Sequence, residues 1–202
     1  LEALRATFLV PFVGTVPAIK TAAAQSQTRR FTLLATPNTA HSPYSSRLIT
    51  QFASDCVVDC YGAPNLAAMA ERMLLGEAID PARIRAELAP AFQDDARGRT
   101  DCVVLGCTHY PFLRPLLARL YGPALHLVDS GAAVARQTGR VLAAHGWLRP
   151  VRSSVTGTEP DILPHAPQAG IEVFVTGHPA QSQTVVQRWV PAAQEIRRAS
   201  LF

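Results

Sequence analysis

The chain has 202 residues, 48% hydrophobic and 17% charged, a composition that supports a buried core and excludes a disordered chain or a disulfide-built miniature fold. Its formal charge of +4 comes with a single lysine, Lys20, and no long basic run, so no nucleic-acid partner is expected. No apolar stretch approaches the ~20 residues that span a bilayer and no secretory signal pattern opens the chain, so no membrane association is expected; the expected setting is cytoplasmic, with four reduced cysteines.

In chain order, "LVPFVGT" (9–15) predicts a first strand and Pro17 stands near a helix start. "FTLLAT" (31–36) and "DCVVDC" (55–60) predict the next strands, separated by the polar turn "ATPNTAHS" (35–42). After Pro64 comes a helical stripe of Leu66, Met69, Ala70, Met73 and Leu74. "DCVVLG" (101–106) and "LHLVDS" (125–130) predict two further strands, with Pro115 near the start of a helix between them. Val134, Thr138, Val141, Leu142 and His145 then share one face of a helix over 131–146. Four prolines between 147 and 170 mark a long loop, and "IEVFVTG" (171–177) with Pro179 predicts a last strand and helix. Most of these strands are apolar on both faces, as in a parallel sheet covered by helices on both sides, so the fold class is α/β with a mostly parallel sheet.

Such sheets bind ligands at the carboxyl ends of their strands, and the polar clusters "ATPNTAHS", "GCTHYP", "DSG" and "TGHP" all fall there. Cys107 follows the strand "DCVVL" by one residue, in a turn opened by Gly106. Backbone N–H groups and a helix dipole at such a turn favour thiolate, which can act as nucleophile or general base; a small buried hydrophobe is the competing reading. His109 can assist Cys107, sit satisfied at the surface or ligate a metal, but a lone Cys-x-His lacks the four ligands of a structural zinc site. Cys56, Cys60 and Cys102 read as core or near-core thiols. Thr36 and Thr39 offer hydroxyls suited to a carboxylate, or ordinary turn and N-cap chemistry. Glu71 lies off its helix's apolar stripe, where a solvated face residue is the plain reading. Asp129 or Ser130 can cap the helix that follows. No dinucleotide loop, phosphate loop or His-Glu-x-x-His motif occurs, so residue-level reasoning ends at an α/β enzyme with a candidate catalytic cysteine.

At "VVLGCTHYPFL" (103–113) the sequence resembles the glutamate racemases. The segments "PFVGTVPAIKTAA" (11–23), "TLLATPNTAHSPYSSRLITQFA" (32–53), "VDSGAAVARQTGRVL" (128–142) and "FVTGHPAQSQTVVQRWV" (174–190) resemble further family segments in the family's order. The resemblance implies a racemase that interconverts L- and D-glutamate with no cofactor and no metal, the D form supplying peptidoglycan synthesis. Two cysteines flank the substrate α-carbon in that chemistry, one removing a proton and the other returning one to the opposite face. Carried onto this chain, Cys107 is one acid–base group, Thr108 binds substrate, and His109 assists the thiol. Thr36 and Thr39 stand near the substrate carboxylate, and Glu71 supports the histidine. Related aspartate and hydantoin racemases carry other residues at the position of His109.

The family's first catalytic cysteine lies in a Cys-Asn-Thr segment, and no such segment occurs in these residues. The expected architecture is therefore the two-domain aspartate/glutamate racemase arrangement with one domain complete and one truncated: 1–16 a remnant of the first domain, 17–128 the complete second, and 129–202 the C-terminal part of the first. An open sheet edge in the truncated domain predicts association, and a homodimer is compatible with the reading. Loss of one positioned acid or base costs roughly 10²–10⁴-fold, so little racemisation is expected of this chain alone. The alternatives are a non-catalytic fragment or binding module of the same fold, and a related racemase acting on aspartate. A cysteine hydrolase is disfavoured because no oriented His–Asn pair is evident.

Overall fold

A computed structural model of the chain describes residues 2–147, 171–175, 179–189 and 193–198. The chain divides into two units, Leu1–Leu148 and Arg149–Phe202. The first runs α1 (Glu2–Thr7), α2 (Ile19–Gln25), β1 (Arg30–Ala35), α3 (Pro37–Ala40), α4 (Pro43–Phe52), β2 (Val57–Gly62), α5 (Leu66–Leu74) and α6 (Pro81–Leu88). It continues with the short strands β3 (Asp94–Asp95) and β4 (Gly98–Arg99), then β5 (Cys102–Leu105), α7 (Arg114–Tyr121), β6 (His126–Val128) and α8 (Gly131–Ala144). The second unit contains β7 (Ile171–Val175), α9 (Pro179–Trp189) and β8 (Ala193–Arg198), with β7 and β8 paired in parallel.

Four strands of the first unit form a parallel sheet in the order β2-β1-β5-β6. Alternate side chains of the two central strands enter opposite cores. Leu34, Val103 and Leu105 pack with Leu66, Ile84, Leu88, Leu113 and Leu117 from α5, α6, α7 and the 3₁₀ turn before α7. Phe31, Leu33, Cys102 and Val104 pack on the other face with Ile19 and Ala22 of α2. All six residues of β1 and all four of β5 are buried, which explains why β5 is wholly apolar and β1 is apolar except for Arg30 and Thr32. The stripe expected on α5 is present, with Leu66, Met69, Ala70 and Leu74 buried.

Helix starts follow local chemistry. Proline occupies the first turn of α3, α4, α6 and α7, where a missing N–H costs nothing. Ser42 caps α4 by accepting the Ser45 N–H at 3.1 Å, and Asp80 caps α6 by accepting the Ala82 N–H at 2.9 Å.

Two strand expectations change. Residues 9–15 form no strand; Leu9 and Val10 are exposed, and among the described residues no strand runs beside them to complete a ladder. The strand expected at 55–60 starts later, because the Cys56 N–H turns back to the Ala53 carbonyl and the ladder begins only at Val57 N–H, which donates to Arg29. Cys56 and Cys60 are half-buried against the α2-side core, as near-core thiols. The loop assigned to 147–170, beyond Trp147, and the cluster at 176–178 lie outside the described residues.

Arg30 opens β1 with its side chain fully buried, its Nε donating to Asp59 at 2.8 Å and its Nη1 to Asp95 at 2.6 Å. Asp101, just before β5, accepts from the Ser26 hydroxyl and the Gln27 and Thr28 N–H groups. Both clusters brace the amino edge of the sheet and leave the carboxyl edge to the cleft.

Candidate active site

The carboxyl ends of β1, β5 and β6 open onto a cleft of about 630 Å³. Thr39 and Tyr44 reach it from the segment after β1, Cys107 and Thr108 from the turn after β5, and Ser130 from the turn after β6. Thr15 closes another side and is tied to the β6–α8 turn by a 2.8 Å hydrogen bond between its hydroxyl and that of Ser130. Gly131, Val134 and Ala135 of α8 form a largely apolar wall.

The turn bearing Cys107 is fixed before and after the thiol. Gly106 donates its N–H to the Leu34 carbonyl at 2.8 Å, so the chain leaves β5 hard against β1. Tyr110 is fully buried, and its hydroxyl reaches the carbonyls of Ala35 at 3.2 Å and Ala63 at 3.4 Å, at the carboxyl ends of β1 and β2. Burial pushes its phenol above the ordinary tyrosine value, which keeps it a neutral donor. Cys107 is half-buried and Thr108 exposed.

His109 is half-buried, with Nδ1 3.9 Å from Cys107 Sγ, the outer reach of a sulfur hydrogen bond. The Thr36 hydroxyl donates to that of Thr39 at 3.0 Å, so the two threonines act as one polar unit beside the cleft. Thr39, Cys107 and Thr108 thus share the cleft wall directly, while Thr36 and His109 stand behind it through Thr39 and Cys107. Glu71 is on α5, exposed, and does not line the cleft. Cys102, only five positions before Cys107, is fully buried, and burial pushes its thiol up to about 12, so it is an inert core thiol.

Three contributors were not singled out as site residues from sequence. Thr15 sits in the segment read as strand, Tyr44 reads as an ordinary first-turn helix residue, and Arg114 is the first residue of α7. Arg114 donates to the Leu127 carbonyl at 2.8 Å and to Asp129 at 2.5 Å. Asp129, read as a cap, accepts the Gly131 N–H at 2.8 Å, whereas Ser130 makes no side-chain cap bond. Burial alone would raise the Asp129 carboxyl, but Arg114 and the Gly131 N–H outweigh it and hold the group below the usual range.

Among the described residues no cluster of three or more His, Cys, Asp or Glu side chains could hold a metal ion, and no helix is long and apolar enough to cross a membrane. A smaller hollow of about 270 Å³ lies at the opposite edge of the sheet beside the stacked rings of Phe92 and Tyr121, and none of the residues marked from sequence reaches it.

Residues 1–138 match the family model described as Asp/Glu/Hydantoin racemase. The chain is 45% identical over 143 residues to a glutamate racemase from Shewanella sp. (strain MR-7), covering 71% of this chain and 51% of the relative. It is 46% identical over 145 residues to a glutamate racemase from Brucella canis, covering 71% of this chain and 52% of the relative. Among solved structures, Escherichia coli glutamate racemase in complex with L-glutamate and the activator UDP-MurNAc-ala superposes with a TM-score of 0.77 at 30% identity, covering 98% of this chain and 68% of that one. Thermus thermophilus glutamate racemase in complex with beta-chloro-D-alanine gives 0.63 at 26% identity, covering 100% and 67%. The chain spans about half the length of the curated relatives it matches.

Proposed function

The chain belongs to the Asp/Glu/Hydantoin racemase family, and on that premise we propose that it carries one of the two acid–base walls with which glutamate is racemised. The observation that carries the reading is the placement of Cys107: half-buried in the cleft at the carboxyl edge of the sheet, between Thr39 and the α8 wall, with His109 at 3.9 Å. The matched relatives named glutamate racemase, and the neighbour whose complex holds L-glutamate, support glutamate as substrate.

The α-hydrogen of an amino acid is weakly acidic, and a cleft without an electron sink must stabilise the carbanion by oriented donors in a site that excludes water. The Cys107 thiolate takes the α-proton, leaving the electron pair on the α-carbon delocalised into the carboxylate. The Thr36–Thr39 pair and Thr108 supply hydroxyls to that carboxylate, and His109 behind the thiol moves its proton. Glu71 would act only at longer range, through the histidine. Inversion requires a second acid on the opposite face. The family resemblance gives that role to another cysteine, and Cys56, Cys60 and Cys102 do not line the cleft.

In this reading the four-stranded sheet belongs to a complete domain over 17–128, while 1–16 and 129–202 belong to a second, and the D-glutamate produced feeds peptidoglycan synthesis in the cytoplasm. The test is exchange of the glutamate α-hydrogen in heavy water, followed by proton NMR. Exchange by the chain that falls by about 10²-fold or more in Cys107→Ala is expected. Glutamate binding with no exchange would instead identify a binding module, and exchange of aspartate in preference to glutamate would reassign the substrate.

A further inference from the structure

We infer that Arg114 and Asp129 form a strut that sets the width of the cleft, with Arg114 as a positioning residue for Cys107. The inference rests on the racemase reading for what Cys107 does, but not for where the thiol stands.

Arg114 begins α7 seven residues after Cys107, at the end of the turn whose front is pinned by Gly106 and Tyr110. Its guanidinium crosses to the next strand and uses two nitrogens there: Nη1 donates to the Leu127 carbonyl and Nη2 to Asp129. A planar fork held at two points fixes orientation as well as distance, which a lysine cannot reproduce. Asp129 is only 20% exposed and spends its second oxygen on the Gly131 N–H, the first residue of α8. One carboxylate therefore joins the segment carrying the thiol to the helix whose Gly131, Val134 and Ala135 face it across the cleft. No side chain of α8 is fully buried, Val134, Thr138, Val141 and Leu142 being half-buried, and this contact and the Thr15–Ser130 hydroxyl pair are the side-chain hydrogen bonds that tie its starting turn. A wall without a fully buried anchor shifts when one of these ties is removed, and displacement of a reacting group by about 1 Å is enough to cost two orders of magnitude in rate.

The test is the rate of Cys107 alkylation by iodoacetamide across pH, read by peptide mass spectrometry on the 202-residue chain, with Cys102 in the same molecule as a reference for general loosening. A neutral reagent separates two effects: the midpoint of the profile reports charge near the thiol, and the high-pH plateau reports access to it. Asp129→Asn is expected to raise the plateau roughly 3- to 10-fold with Cys102 still unreactive. Arg114→Lys is expected to raise it in the same direction, and the exchange Arg114→Asp with Asp129→Arg to return it toward wild type. A shift of midpoint with an unchanged plateau, equal gains at Cys102, or no recovery in the double exchange would each overturn the strut. Should Asp129→Asn lose its circular dichroism signature of folding, Arg114→Lys, which keeps the charge, decides by the same plateau. No readout here needs turnover, so failure of the racemase reading and failure of the strut are separate results.

Discussion

A methyl group at Gly106 would lie 3.0 Å from Leu33 Cδ1, 3.2 Å from Ala35 Cβ and 3.2 Å from the Leu34 carbonyl oxygen. Two of these neighbours are buried side chains of β1 and the third is backbone, so little can give. Gly106→Ala is expected to destabilise the fold by about 1–3 kcal/mol, the usual cost of overpacking, and to push the turn of Cys107 outward. The midpoint of urea unfolding measures it, and an unchanged midpoint would mean that β1 relaxes freely. The place of Cys107 at the cleft was legible because an apolar run, a glycine and a polar turn spell a strand delivering its next side chain to a sheet edge. Thr39 and Thr108 were legible for the same reason. Arg114 was not, because its partner Asp129 lies 15 residues away on another element, and no local period records a side chain that crosses from a helix start to a strand end. Glu71 illustrates the limit from the other side: its helical phase shows an exposed face, and only the resemblance connected it to the histidine.

The strands of the four-stranded sheet were legible from their β-branched runs, whereas the elements that brace it were not. The hairpin β3–β4 is written in "DDARGR" (94–99), with no apolar alternation, and exists because Arg30 holds Asp95 against the amino edge. Residues 9–15 fail in the opposite sense: the composition suits a strand, but a strand also needs a partner. The bracing elements carry a pH dependence. The hydrogen bond from Arg30, helped by the Arg97 N–H, holds the Asp95 carboxyl at about 2. Burial alone would raise Asp101, but the bonds from Ser26, Thr28 and Gln27 prevail and hold it below the usual range. Both folded carboxyls thus sit below the unfolded value of about 3.9, so at intermediate pH the unfolded chain binds more protons than the folded one. Their contribution is complete above about pH 5 and is lost as pH falls toward about 2. Urea unfolding from about pH 6 down to about pH 2.5 should show stability falling with acidification, and less steeply in Asp95→Asn. A slope identical in Asp95→Asn and wild type would remove Asp95 from the account.

An α-carbon has two faces, and of the four cysteines in this chain only Cys107 stands in the cleft. On the proposed reading, this separates two events that racemisation couples. Removal of a proton and its return by the same thiol replaces hydrogen with deuterium and keeps the configuration. Inversion needs a donor on the far face, and among the described residues no second thiol lines the cleft. The order of the family-like segments made the sheet and the wall that bears Cys107 legible along the first unit. What sequence could not give was the closeness of the walls, which depends on contacts such as Thr15 with Ser130 that join residues 115 positions apart. For the 202-residue chain in heavy water, deuterium is expected to enter the α position of one enantiomer of glutamate with retention, while inversion runs roughly 10²–10⁴-fold slower, the usual deficit for an unpositioned acid. Proton NMR gives the exchange rate and chiral chromatography the inversion rate on the same sample. Equal rates would show that a group of this chain already serves the opposite face, and exchange into both enantiomers at one rate would show that Cys107 does not discriminate between faces.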